Sequence, residues 1–446
     1  MVSGSVSILL LAAAVVLIVL ATGKWKVNAF VVLIVVAFAY GLAIGMPALD
    51  VVKTIRDGFG GTLAYIGIVI VAGTIMGYIL EKTGAALVMT RSILSLVGRS
   101  RAPLAMNIAG YVVSIPVFCD SGYVILTPLN KALAAETKTS MGVMAVALAT
   151  GLYATHTMVP PTPGPLAAAA TLNADLGMVI LYGLIVSIPA SLAGLAWALV
   201  LGRKYDISPG VEETSDEVVA QHLILPSAFM SFLPLVLPIV LILLKSIAAY
   251  PTHPFGTGDL ATFIAFVGDP VTALMLGVIA SLFLVPRRHL SLAVDSWMGQ
   301  GIKDAAIILA ITGAGGAFGK VLGASPMKDF ISTNMGDLRL GLFLPFAISA
   351  ALKTAQGSST VAIITTAAIM APLLGPLGLD PAITTIVIGA GAMVVSHAND
   401  SYFWVVSQFS NMPVAVAYKL YTTATLVVGL VAFGAAWLLS LALAAM

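Results

Sequence analysis

Long apolar runs cut by short polar breaks make up almost the whole chain. Runs near 5–22, 27–47, 60–80, 141–158, 176–201, 222–247, 270–286, 301–322, 381–398 and 413–445 approach or exceed the ~20 apolar residues that carry a helix across a bilayer. Two further stretches, about 101–135 and about 340–376, are apolar at both ends and polar in the middle. Each of their arms holds roughly 12–18 apolar residues, short for a crossing and suited to a re-entrant hairpin. The polar centres are Phe118-Cys119-Asp120-Ser121-Gly122 and Lys353-Thr354-Ala355-Gln356-Gly357-Ser358-Ser359-Thr360.

Two of the runs are interrupted. Thr155-His156-Thr157-Met158-Val159-Pro160-Pro161-Thr162-Pro163-Gly164-Pro165 cannot continue a helix, because proline removes a backbone donor and clashes with the preceding turn. Ser396-His397-Ala398-Asn399-Asp400-Ser401 is a second polar break. Irregular backbone at membrane depth must be buried in protein or line a cavity, and broken helices in corresponding positions point to a transporter's binding site.

The order of elements is the same in both halves of the chain: three spans, a hairpin, a broken span, a final span. An odd number of crossings per half turns the second half over relative to the first. The fold expected is therefore an all-α polytopic membrane protein of two inverted repeats, about five spans each, with one re-entrant hairpin and one broken helix per repeat. The first repeat covers 1–202 (broken helix about 141–172), the second 222–446 (broken helix about 381–410), and 203–221 is a cytoplasmic linker carrying Glu212, Glu213, Asp216 and Glu217. With the N-terminus outside, Lys24, Lys26, Lys82, Arg91, Arg99, Arg101, Lys138, Arg203, Lys204, Arg287, Arg288 and Lys303 fall on the cytoplasmic side, against Lys53, Arg56, Lys328 and Arg339 outside, with Lys245 and Lys320 near helix ends there. That excess follows the positive-inside rule.

Composition sharpens the class. Of 446 residues, 60% are hydrophobic and 9% charged, and the mean hydropathy is +1.07; soluble domains carry about 25% charged residues. The lipid bilayer is thus the chain's main environment. There is no basic tract for nucleic acid. A single cysteine, Cys119, excludes an internal disulfide and a multi-cysteine metal site. No His-Glu-x-x-His pair or serine motif with a placed base is present, so the chain reads as no enzyme and needs no cofactor or metal.

Asp120 and Asp400 are intramembrane carboxylates, which are costly and usually face a cavity; they are proton-carrier candidates, with helix capping the simpler role. His156 and His397 hold related positions and suit either a proton relay or a neutral bond to broken backbone. At the hairpin tips, Ser121, Gly122, Gln356, Gly357, Ser358, Ser359 and Thr360 offer helix N-termini and hydroxyls to an anionic, hydroxylated ligand, or simply permit tight turns. Thr162, Gly164, Asn399 and Ser401 add contacts from the breaks. Lys353 can meet a carboxylate or snorkel to the interface. Gly313, Gly315, Gly316 and Gly319 follow no strand and read as small residues on a packed membrane helix.

Together, the Val159–Pro165 run, the Cys119–Gly122 and Ala355–Thr360 hairpin centres and the Ser396–Ser401 break resemble the gluconate:proton symporter (gluconate permease) family over the whole chain, and more broadly the ion-transporter superfamily. The resemblance implies uptake of gluconate or a similar small organic acid with protons across a bacterial inner membrane, by an elevator-type movement in a homodimer. Relatives in that family carry other hydroxy acids or D-serine. The sequence departs from typical gluconate carriers at Ser359 and at Tyr402-Phe403-Trp404, both beside the expected pocket. Sodium in place of the proton, and an anion channel in place of a carrier, stay open on the sequence alone.

Overall fold

The computed structural model describes residues 2–210, 225–249, 254–326, 341–398 and 400–445. Asn399 and most of the 203–221 linker lie outside the described residues. The described chain is helical throughout: α1 (Gly4–Val19), α2 (Ala29–Ala43), α3 (Ala48–Lys82), α4 (Ala85–Val97), α5 (Ala102–Val113), α6 (Cys119–Thr137), α7 (Met141–His156), α8 (Pro163–Thr171), α9 (Leu176–Leu201), α10 (Ala228–Ala248), α11 (Asp259–Val267), α12 (Pro270–Leu282), α13 (Met298–Gly323), α14 (Phe343–Gln356), α15 (Ser359–Met370), α16 (Pro381–Gly391), α17 (Ser401–Phe409) and α18 (Thr423–Ala444).

Among the described residues, five helical segments are long and apolar enough to cross a membrane, or seven if each of two bent pairs counts as one span. The ten crossings expected from the sequence are not ten long helices, because several of them are short or broken. The run at 60–80 belongs to a longer helix. α3 starts at Ala48 and bends by 46° between Ala64 and Gly67, so Lys53 and Arg56 sit on a helix and not in an external loop. At 1.5 Å per residue α3 is roughly 50 Å long, more than the ~30 Å hydrocarbon core. α4, with Arg91 amid apolar residues, is a short helix the apolar runs did not announce.

Helix starts follow capping chemistry. Asp175 accepts the Met178 N–H at 2.8 Å, Asp380 accepts Ile383 N–H at 2.8 Å, and Asp269 accepts Val271 N–H at 3.1 Å. These satisfy donors that a helix leaves orphaned at its first turn. Pro163, at the first position of α8, has its backbone angle already set for helix entry.

Burial separates two kinds of helix. All of α7, and α16 from Ala382 to Gly391, are buried; helices apolar all round belong inside protein or lipid. α9, α10 and α18 instead leave large side chains such as Ile188, Val236 and Leu438 exposed, the surface a bilayer covers. α3 and α13 pack along their length. A side chain at Gly316 would collide with Thr62, whose Oγ1 lies 2.0 Å from the Cβ position, so the glycine-rich run of α13 serves close helix approach. Around the buried centre, α5 packs on α7 and α14 on α16, while α6 meets α17 and α8 meets α15.

Candidate functional site

The first break is a stretch of non-helical backbone held by its neighbours. After α7 ends at His156, Thr157–Thr162 runs without helix and stays buried, and Thr162 Oγ1 donates to the Val159 carbonyl at 2.6 Å. Carbonyls freed by the break are approached by glycines of three other helices. A Cβ on Gly389 of α16 would stand 2.3 Å from the Thr157 oxygen, one on Gly183 of α9 2.4 Å from Met158, and one on Gly73 of α3 3.2 Å from Pro161. On the far side, Gly164 lies against Ile363 and Thr360 of α15, its Cβ position 3.0 Å from Ile363 Cδ1 and 3.6 Å from Thr360 Cα.

The second break holds the charges. Lys353, in the last turn of α14, is fully buried, and its Nζ lies 2.5 Å from Asp400 Oδ2. The same ammonium donates to the Gly357 carbonyl at the hairpin tip and stands 5.8 Å above the Tyr153 ring, a cation–π distance. Asp400 Oδ2 also accepts the Ser396 hydroxyl, and Oδ1 caps α17 by accepting the Tyr402 N–H at 3.1 Å. Burying two charges costs several kcal/mol per ion unless the remaining donors and acceptors are met; here each oxygen of Asp400 has a partner. The snorkelling alternative for Lys353 is therefore set aside: its stem does not reach an interface because a buried carboxylate meets its head.

Asp120 is differently placed. It sits in the first turn of α6, where Oδ2 accepts the Ser401 hydroxyl at 3.1 Å. Its Oδ1 is buried and without a protein partner among the described residues. It caps no helix: α6 has no side-chain cap. Ser401 is the first residue of α17, next to Asp400, so one hydroxyl joins the first hairpin to the second break.

Each histidine abuts the hairpin of its own half. His397 Nε2 is 2.8 Å from the Thr354 carbonyl of α14. His156 is buried against Phe118, ring centroids 6.0 Å apart, and its Nδ1 has no partner among the described residues. Gly357 takes φ 92°, a conformation glycine adopts without strain, and Ser358 accepts the Val361 N–H at 3.3 Å to cap α15. Ser359 and Thr360 open that helix, half-buried, and Gln356 ends α14. Ser121 is half-buried in the first turn of α6. Gly122 is a packing position, its Cβ site 2.8 Å from Leu152 Cδ2. Thus Asp400 and Gly357 of the hairpin tip meet at Lys353; Asp120 joins them through Ser401, the neighbour of Asp400; Gly164 reaches the tip through Thr360; Gly122 and Thr162 face packing contacts.

Sequence reasoning set Tyr402 beside the pocket but missed Tyr123, Tyr153 and Tyr421. Tyr402 lies buried among Tyr153, Tyr123 and Tyr421, with ring centroids 5.4, 6.1 and 5.9 Å away. Its hydroxyl donates to the Ala149 carbonyl at 3.1 Å, and Tyr153 donates to the Ala392 carbonyl at 3.1 Å. Tyr123 and the Ser410 hydroxyl are hydrogen-bonded. The available signal was spacing: Tyr153 lies one helical turn before His156, and Ser396 sits four residues before Asp400. Cavities of about 240 Å³, bounded by Asp175, Lys245 and Asp269, and about 590 Å³, bounded by Arg101, Lys138 and Arg203, lie away from this centre.

A buried core of broken helices around an ion pair, inside helices that expose apolar side chains, defines a multi-pass membrane transporter. The fold is shared with MtrF of Neisseria gonorrhoeae (TM-score 0.67, 15% identity, 94% of this chain and 96% of that one) and with the YdaH transporter of Alcanivorax borkumensis (TM-score 0.60, 19% identity, 92% and 97%). The profile of the GntP family of permeases matches residues 6–442, and the chain belongs to that family. It is 34% identical to a gluconate permease of Pseudomonas aeruginosa over 96% of both chains. It is 36% identical to the D-serine transporter DsdX of Escherichia coli K12, again over 96% of both.

Proposed function

We propose that this permease imports gluconate, or a small hydroxylated monocarboxylate like it, by proton symport across a bacterial inner membrane. The observation that carries the reading is the buried Lys353–Asp400 pair, set where the end of α14 and the starts of α15 and α17 meet, with Asp120 of α6 one hydroxyl away. A lysine in that place suits an organic anion, and the α15 N-terminus with Ser359 and Thr360 suits a carboxylate and its neighbouring hydroxyls. Asp120 and Asp400 are the candidate proton carriers, with His156 and His397 beside them.

The matched packings α5 on α7 and α14 on α16, crossed by α6 on α17 and α8 on α15, support two inverted repeats. In the elevator reading, α5–α8 and α14–α17 travel as one body past a dimer-forming scaffold of the remaining helices. The 36% identity to a D-serine transporter supports D-serine as the second substrate reading.

The test is uptake of radiolabelled gluconate by proteoliposomes of the purified protein, under an inward proton gradient without sodium. Glycerate, 3-hydroxybutyrate and D-serine serve as competitors. Accumulation displaced by sugar acids is expected. Displacement by D-serine alone would replace the substrate, and accumulation that requires sodium would overturn the proton coupling.

A further inference from the structure

We propose that Lys353 is shared between Asp400 and the carboxylate of the cargo, so that a proton on Asp400 and an organic anion on Lys353 enter together, one for one, with no net charge moved. This rests on the symport reading above and deepens it.

Lys353 holds three acceptors at once: Asp400, the Gly357 carbonyl and the face of Tyr153. The last two belong to the hairpin tip and to α7 and are unaffected by a proton. Only Asp400 changes. When a proton from outside water bonds to its carboxylate, the charge that held the ammonium disappears, and Lys353 turns to the nearest anion. At the start of α15, beside Gly357, the positive end of the helix dipole favours such an anion. On the inner side the O–H bond breaks, the proton leaves to water, Asp400 recovers Lys353, and the cargo is displaced.

Counting charge makes the coupling obligatory. The empty pair is neutral. A proton alone leaves a buried ammonium uncompensated, and a carboxylate alone adds an unmatched negative charge. Both together restore neutrality. A buried uncompensated charge is expensive, so only the empty and the doubly occupied forms cross readily. The other ionisable groups that face Asp400 are Asp120 of α6, Cys119, Tyr153, His156 and Tyr421. The count holds with all of them uncharged, Asp120 in its protonated form, so that the proton that moves is the one on Asp400.

The pair is also a latch. Asp400 caps α17 while Lys353 ends α14, and the bond between them ties hairpin to break. Cargo that takes Lys353 releases that tie, which links binding to movement of the hairpin.

Two measurements on reconstituted full-length protein decide it. In the wild type, a pH gradient is expected to accumulate gluconate about tenfold per pH unit, the one-proton limit for a neutral cycle, while a potassium–valinomycin potential without a pH gradient accumulates none. In Asp400→Asn the accumulation ratio is expected to fall to one, with any residual gluconate exchange independent of pH. In Lys353→Gln, gluconate binding is expected to be lost. Potential-driven gluconate accumulation in the wild type would overturn the proposal, and needs no variant to fold. So would a full tenfold ratio in Asp400→Asn or unchanged gluconate affinity in Lys353→Gln. A wild type that accumulates gluconate under neither gradient would overturn the symport reading itself, and this proposal with it.

Discussion

At the scale of single residues, Asp120 and Asp400 look equivalent in the sequence and are not equivalent in the fold. Asp400 has every oxygen engaged, one of them by a buried cation. Among the described residues, Asp120 has one hydroxyl partner and one oxygen with none. Truncating one member of a buried ion pair leaves the other uncompensated, at about 3–5 kcal/mol, whereas replacing both by apolar groups is often neutral. Asp400→Ala is therefore expected to lower thermal stability in detergent much more than Asp120→Asn, and Lys353→Met with Asp400→Ala to regain most of the loss without regaining transport. Thermal unfolding followed by tryptophan fluorescence gives the double-mutant cycle. Additive losses would mean that the two groups do not act as a pair. The intramembrane carboxylates were legible because so few explanations exist for them in an apolar run. The partner of Asp400 was not: Lys353 lies 47 residues away, and no local pattern specifies that separation. Its burial follows only once the end of α14 is folded against the second break.

At the scale of elements, the prolines by themselves mark the first break, since no helix can run through Pro160, Pro161, Pro163 and Pro165. The two polar-centred stretches each hold a pair of helices, Ala102–Val113 with Cys119–Thr137 and Phe343–Gln356 with Ser359–Met370. The start of α3 and the existence of α4 escaped, because the charged Lys53, Arg56 and Arg91 read as loop in a hydropathy scan, although Lys53 and Arg56 lie in the first turns of α3 and Arg91 in the middle of α4. What holds the first break open is close approach by other helices. Alanine at Gly389 or Gly183 would put a methyl within 2.4 Å of the Thr157 or Met158 carbonyl, a backbone atom with no rotamer to yield. Overpacking of this kind costs about 1–3 kcal/mol. Both variants are expected to unfold at lower temperature and to lose uptake, while Gly434→Ala, where nothing lies within 4 Å, changes neither. Size-exclusion chromatography after graded heating reads the difference. Wild-type behaviour in Gly389→Ala would mean that the break can shift without consequence.

At the scale of the whole molecule, the open question is which parts move against which. α15 is touched from two sides: by α8, through Gly164 and Thr360, and by α13, through Gly315, whose Cβ position is 3.0 Å from Ile364 Cγ2. In an elevator the first contact travels within one body and the second is a sliding surface. Cysteines at Gly164 and Ile363, whose Cβ positions lie 3.7 Å apart, would thus join elements that move together, and cysteines at Gly315 and Ile364 would bolt the moving body to its scaffold. Replacing Ile364 by the smaller cysteine also clears the space that a side chain at Gly315 needs, so the second pair can approach the ~3.8 Å Cβ separation of a disulfide. The expected outcome is asymmetric. Oxidation of the 315–364 pair abolishes gluconate uptake and reduction restores it, while oxidation of the 164–363 pair leaves uptake near its reduced level. Cys119, buried beside the site, stays in both variants and supplies the same background. If both crosslinks left transport intact, the α13–α15 surface would not be the one that slides. If the 164–363 bond alone stopped it, the moving part would be the second hairpin opening as a gate against α8, with the two broken helices standing still.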